Sequence, residues 1–142
     1  MPDVVTLGET MALFAPREAG PLRYISDFRL KFGGAETNFA TALVRLGLSA
    51  GWISRLGDDE LGRFIAHNLR GEGVDISRVG IDPEAPTGLY VKELSAVGET
   101  SVYYYRRGSA ARHGSQPFRR PATSPASKPS PAPIASTTAG TS

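Results

Sequence analysis

The sequence contains no cysteine, which excludes disulfide bonds and thiolate metal sites and fits a reducing cytoplasm. No apolar run approaches the roughly 20 residues that a membrane-spanning helix needs. The start, Met-Pro-Asp-Val-Val, puts no basic segment ahead of an apolar one, so a secretory signal is not expected. There are only two histidines, His67 and His113, and no Ser/His/Asp set, zinc spacing or Gly-x4-Gly-Lys phosphate loop can be assembled around them. The expectation from these absences is a cytoplasmic protein without a membrane partner.

Acidic residues are missing from one end. All 14 Asp and Glu lie in residues 1–111, against 12 of the 16 Lys and Arg, so that stretch is mildly acidic. Residues 112–142 carry Arg112, Arg119, Arg120 and Lys128 and no acid. The basic total is therefore a property of this end and does not argue for nucleic-acid binding by the rest. Six of the eleven prolines fall in 112–142, with Phe118 and Ile134 the only large apolar residues. Such a composition buries too little surface to offset ordering entropy, so 112–142 reads as a disordered Pro/Ser/Ala-rich basic tail after one folded unit, 1–111. The switch after Ala111 is abrupt; a shifted reading frame and a natural low-complexity tail would both produce it.

Within 1–111, residues 4–8 read as a short central strand, 11–14 as an extended continuation and 22–32 as one or two strands. Residues 35–46 read as a helix with Ala35, Phe39, Leu43 and Leu46 as its apolar stripe and Gly47 at its C-terminal end. A second strand is expected at 50–53, then a turn through Arg55-Leu-Gly-Asp58. Asp58 would cap a second helix, with Asp59 and Glu60 in its first turn and Leu61, Ile65 and Leu69 on one face. An extended piece at 74–79 completes a strand–helix–strand–helix–strand order, which predicts a parallel α/β sheet. Residues 88–94 and 100–106 read as an antiparallel hairpin, a small β lid beside that sheet.

The most informative stretch is Lys31-Phe-Gly-Gly-Ala-Glu-Thr-Asn38. Neither Gly33 nor Gly34 has a Cβ, so a polar ligand could approach bare main chain there, at the positive end of the following helix. Asn38, one turn in, both donates and accepts hydrogen bonds. On the hairpin, alternation puts Tyr104 and Arg106 on one face and Tyr103 and Tyr105 on the other. An aromatic wall beside a guanidinium fork suits a hydroxylated, carboxylate-bearing ligand. Taken alone, the same residues also fit an ordinary glycine turn and an ordinary packing strand.

The pattern Gly-Gly-Ala-x-x-Asn-x-Ala-x-x-Leu-x-x-Leu-Gly, then Gly57-Asp-Asp-Glu-Leu-Gly62, resembles the ribokinase-like (PfkB) carbohydrate kinases. Gly8-Glu-Thr-Met11, Thr87-Gly-Leu-Tyr90 and Tyr103-Tyr-Tyr-Arg-Arg-Gly-Ser109 are most similar to the 2-keto-3-deoxygluconate kinase branch, over residues 3–111. The resemblance implies a partial ribokinase-like parallel α/β sheet with a small β lid that covers the sugar and often joins two subunits. It implies a phosphotransferase using ATP and Mg²⁺, with Gly33, Gly34, Asn38, Tyr90, Tyr104 and Arg106 as substrate contacts. Glu9 is carried over where many members have Asp. The Gly-Ala-Gly-Asp segment that supplies the catalytic base in the family has no match here, nor do the strands that hold ATP, so no catalytic residue and no metal ligand is assigned. Two other readings stay open: a non-catalytic sugar-binding or dimerising module, and a fructokinase- or ribokinase-type enzyme. A parallel sheet cut short would also leave apolar edges and helix faces uncovered.

Overall fold

Backbone pairing divides the chain into two sheets, seen in a computed structural model that describes residues 1–113. In chain order the elements are β1 (Val4–Leu7), β2 (Met11–Pro16), a 3₁₀ turn (Leu22–Tyr24) and β3 (Phe28–Gly33). They continue with α1 (Ala35–Arg45), β4 (Ala50–Gly57), α2 (Glu60–Gly71), β5 (Val79–Asp82), β6 (Leu89–Leu94) and β7 (Thr100–Tyr105). The first sheet has the order β1-β4-β5 and is parallel throughout, as the alternation of strands and helices predicts. The second has the order β3-β2-β6-β7, in which β2 runs parallel to β6 and the other pairs are antiparallel.

The expected hairpin is β6–β7, but it is only half of its sheet. Met11, Ala12 and Leu13 of β2 are buried at the centre of that sheet, and β3 takes only the second half of the segment read as strand. β1 is an edge strand among the described residues, not a central one, and Leu7 on its far face is 73% exposed. β4 extends through the residues expected to turn. Ser54–Gly57 pair with Val79–Asp82, so ladder hydrogen bonds satisfy backbone groups that the local turn signal would have left to water. The extended piece expected at 74–79 is reduced to a bridge between Gly51 and Asp75, and the strand proper begins at Val79.

The core between the parallel sheet and its helices is built from Ala40, Ala50, Trp52, Leu56, Ile65, Leu69, Val74 and Val79. Trp52 is fully buried, and its indole N–H donates to the Gly8 carbonyl at 3.1 Å, which satisfies its one polar atom. α1 is rotated from the expected orientation. Its buried residues are Thr37 and Ala40, with Leu43 and Val44 packed alongside, while Phe39 and Leu46 face outward. Small Ala40 lets the helix lie close to β4, and the Thr37 hydroxyl finds partners that a larger apolar side chain would displace. Gly47, at φ 88°, ends α1 as predicted: its N–H donates to Val44 O at 2.9 Å and that of Leu48 to Leu43 O at 3.1 Å.

Asp59, not Asp58, caps α2, accepting from the Gly62 N–H at 2.8 Å. Its other oxygen accepts from the Thr87 N–H at 2.8 Å, and the Thr87 hydroxyl accepts from the Gly57 N–H at 2.9 Å. One carboxylate thus joins β4, α2 and the segment leading into β6. Asp58 instead pairs with Arg63 at 2.6 Å, as Glu60 does at 2.9 Å.

Burial works to raise the Asp59 pKa, but hydrogen bonds from Thr87 and Gly62 outweigh it and hold the carboxyl below its ordinary 3.8. The stability it contributes is therefore present above that value and is lost as the pH falls through the lower, folded pKa. Asp59→Ala, which removes a cap and a charge-assisted hydrogen bond together, should cost about 2 kcal/mol or more in urea unfolding at neutral pH. The difference from the parent chain should shrink as the solution is acidified.

Candidate functional site

Gly8, Glu9 and Thr10 join β1 to β2, so they carry the chain from one sheet to the other at the C-terminal end of a parallel strand. In open α/β sheets this end is where ligands bind. The Glu9 side chain is only 9% exposed. Its Oε1 accepts from the Ser109 hydroxyl at 2.6 Å, and its Oε2 lies 2.6 Å from Arg106 Nη2 and 3.6 Å from Arg112 Nε. The contact with Arg106 is a short ion pair without hydrogen-bond alignment, so Glu9 Oε2 and the buried Arg106 Nε both lack a hydrogen-bond partner. Two guanidinium groups share one carboxylate, which leaves the cluster with an excess of positive charge.

This arrangement differs from the expected one in three ways. Glu9, carried over with the substrate contacts, has both oxygens against side chains of the chain itself, Ser109 and Arg106. Arg106 is not a wholly free fork, because Nη2 already faces an anion. Arg112 and His113, assigned by composition to the tail, contact the residues before them: Arg112 meets Glu9, and His113 Nδ1 lies 3.7 Å from Asp82 Oδ2. The rest of the expected disordered tail, 114–142, lies outside the described residues.

The paired glycines serve close packing. A Cβ at Gly34 would stand 2.7 Å from Glu9 O and 3.1 Å from Thr10 Cα, so the chain itself fills the space left for a ligand in the sequence reading. Gly34 is extended, at φ −171°, a conformation open to any residue, so the requirement is steric alone. Beside it, the buried hydroxyls of Thr10 and Thr37 bond at 2.9 Å, and Thr37 also donates to Gly34 O at 3.2 Å. A Cβ at Gly33 would run into the Tyr90 hydroxyl, so that phenol lies directly over the Gly33 main chain.

Tyr90 and Tyr104 are register partners across β6 and β7, with ring centroids 5.7 Å apart and planes inclined by 28°. Burial, with Tyr104 adding to it, raises the Tyr90 pKa and keeps the phenol protonated. Tyr103, Tyr104 and Tyr105 are all exposed, Tyr104 at 58%. Asn38 is exposed on the outer side of α1, lining an open depression with Phe32, Thr41, Arg45 and Glu72. The structure thus brings Gly33, Tyr90 and Tyr104 into one group, and Gly34, Glu9 and Arg106 into an adjoining one linked through Thr10. Sequence reasoning missed Thr10, Thr37, Ser109 and Arg112; the first three stood inside quoted motifs, but nothing about a lone hydroxyl marks its partner.

The described residues contain no group of three or more His, Asp or Glu side chains placed to hold a metal ion. The acids at the ends of β4 and β5 are taken: Asp59 by Gly62 and Thr87, Asp82 by the N–H groups of Glu84 and Ala85 at 2.9 and 3.0 Å.

Gly33→Ala should displace Tyr90 and break its stacking on Tyr104, seen as loss of the near-UV tyrosine circular dichroism signal. Gly34→Ala, whose Cβ meets backbone, should be the costlier change, about 1–3 kcal/mol in urea unfolding.

Comparison with known proteins gives the family. The family model described as pfkB family carbohydrate kinase matches residues 1–121. The chain is 48% identical over 110 residues to a 2-dehydro-3-deoxygluconokinase of Bacillus subtilis (strain 168), covering 77% of this chain and 34% of that protein. It is 43% identical over 108 residues to Fructokinase-1 of rice, Oryza sativa subsp. japonica, covering 75% of this chain and 33% of the relative. Among solved structures, a PfkB protein from Polaromonas sp. JS666 superposes with a TM-score of 0.76 at 42% identity, covering 80% of this chain and 38% of the other. The 2-dehydro-3-deoxygluconokinase of Thermotoga maritima gives 0.73 at 31% identity, covering 78% and 34%. The chain spans about a third of the length of the curated relatives it matches. Over that third, it belongs to the pfkB family of carbohydrate kinases.

Proposed function

We propose that this chain is the sugar-recognising N-terminal part of an ATP-dependent carbohydrate kinase acting on a sugar acid, with 2-keto-3-deoxygluconate (2-dehydro-3-deoxygluconate) as the preferred substrate. The observation that carries the reading is the Tyr90–Tyr104 stack with the Tyr90 hydroxyl over the Gly33 main chain, and Arg106, paired with Glu9, follows Tyr104 by two residues. The tyrosine rings offer an apolar wall with hydroxyl tips for a sugar, and the guanidinium offers charge-assisted hydrogen bonds to its carboxylate. Gly33 completes the proposed substrate-binding set through its main chain, with Glu9 behind Arg106; Gly34, packed against Glu9 and Thr10, and Asn38, on the outer side of α1, stay outside it. ATP, when bound to the whole kinase, supplies the phosphoryl group. The residues here bind and orient the sugar and leave that chemistry to segments this chain does not provide.

A neutral sugar, as a fructokinase would take, is favoured by one observation: Glu9 already partners Arg106, which reduces the charge available to an acid. The excess guanidinium charge at the cluster tips the balance toward the acid. A non-catalytic sugar-binding module with the same pocket is the remaining alternative, and the four-stranded sheet is the surface through which two copies would pair.

Calorimetric titration of the 142-residue chain decides between them. It should bind 2-keto-3-deoxygluconate more tightly than fructose. Arg106→Ala should weaken the acid about tenfold or more, the worth of a charged hydrogen bond, and leave fructose nearly unchanged. In a coupled ADP-release assay the chain alone should not turn over. ATP-dependent phosphorylation by the chain alone, or equal affinity for acid and neutral sugar, would overturn the proposal.

A further inference from the structure

Glu9 presents an unusual combination. It is a carboxylate, almost wholly buried, placed beside the proposed binding residues of a site that would receive an anion. Its exposed fraction, 9%, is too small for an incoming sugar to be its natural partner. Both oxygens are turned toward the protein: Oε1 takes the Ser109 hydroxyl at 2.6 Å and Oε2 faces Arg106 Nη2 at 2.6 Å. The surroundings are shaped to admit it, since a Cβ at Gly88 would sit 2.7 Å from Oε1. Arg106, by contrast, is 32% exposed, so part of its guanidinium reaches the surface while its Nε is buried without a hydrogen-bond partner.

We infer that Glu9 is a positioning residue. It does not read the substrate; it fixes the Arg106 guanidinium, and through Ser109 the turn after β7, in the orientation that receives a carboxylate. The inference rests on the reading of Arg106 as the sugar-acid contact. Arginine is long and flexible, and an unanchored guanidinium at a strand end loses conformational freedom on every binding event. A buried anion reaching over from the other sheet removes that freedom beforehand. The same anion opposes a second negative charge nearby, so its geometry helps an acidic ligand while its field hinders it. The two effects are separable, because one depends on reach and the other on charge.

Glu9→Asp keeps the charge and shortens the reach by one methylene, whereas Glu9→Gln keeps the reach and removes the charge. If Glu9 positions Arg106, Glu9→Asp loses about tenfold in affinity for 2-keto-3-deoxygluconate, with fructose affinity within about twofold of the parent, and Glu9→Gln loses less. In a ¹⁵N correlation spectrum the Arg106 Nε–H signal should move or broaden in Glu9→Asp. Ser109→Ala, which frees one carboxylate oxygen without altering charge, should shift affinity and signal in the same direction by a smaller amount, and serves if Glu9→Asp does not fold. An unchanged acid affinity with an unchanged Arg106 signal would overturn the inference. So would an equal loss for acid and neutral sugar with that signal unmoved, which is what a merely structural Glu9 would give. Should the parent chain bind no sugar acid at all, the substrate reading fails by itself, and the Arg106 signal in Glu9→Asp still decides whether Glu9 positions the guanidinium.

Discussion

Two carboxylates at the seam between the sheets carry the architecture. Asp59 bridges the start of α2 to the Thr87 main chain, and Glu9 bridges the end of β1 to Arg106 and Ser109 beyond β7. In each case an anion from the parallel sheet's side accepts from groups attached to the other sheet. The Glu9 side chain is nearly buried, so losing a partner there leaves a poorly solvated charge, whereas Asp59 is half-buried and keeps some contact with water. These links add to the ladders β2–β6 and β6–β7 in placing Tyr90, Tyr104 and Arg106.

The glycines belong to the same constraint. At Gly34 and Gly57 an added Cβ would meet main-chain atoms of Glu9 or Thr87 within 2.7 Å, and at Gly88 it would meet the Glu9 carboxylate. The seam is close-packed because main chain approaches main chain, and no side chain, however small, fits between. A motif that looks like an opening for a ligand is therefore first a condition for the two sheets to meet. Gly33 differs, because an added Cβ there would meet the tip of a side chain, the Tyr90 hydroxyl.

The surface away from the seam tells of a different constraint. Val5 and Leu7 on β1, and Phe39 and Leu46 on α1, are exposed apolar residues gathered around the free edge of the parallel sheet. Parallel sheets are covered on both faces in complete domains, and this chain spans about a third of the length of its curated relatives. The amphipathic pattern of α1 is two-sided: Thr37 and Ala40 serve the contact seen here, and Phe39 and Leu46 are exposed on another face.

The sequence by itself determined what depends on near neighbours. The strand–helix order requires a parallel sheet, Gly47 stops α1, and strand alternation separates Tyr104 from Tyr103 and Tyr105. Each follows from backbone geometry over a few residues. Tertiary structure alone decided the rest. Asp58 and Asp59 are equally good caps in a sequence, and only the Thr87 N–H, 28 residues on, selects Asp59. The strand length of β4 was set by pairing with β5, and the buried face of α1 by close approach to β4 where a larger stripe could not fit. Glu9 acquired its partner from Ser109, 100 residues away. A carboxylate's partner, like the space a glycine leaves, is defined by what the folded chain brings to it, and neither is written in the residues on either side.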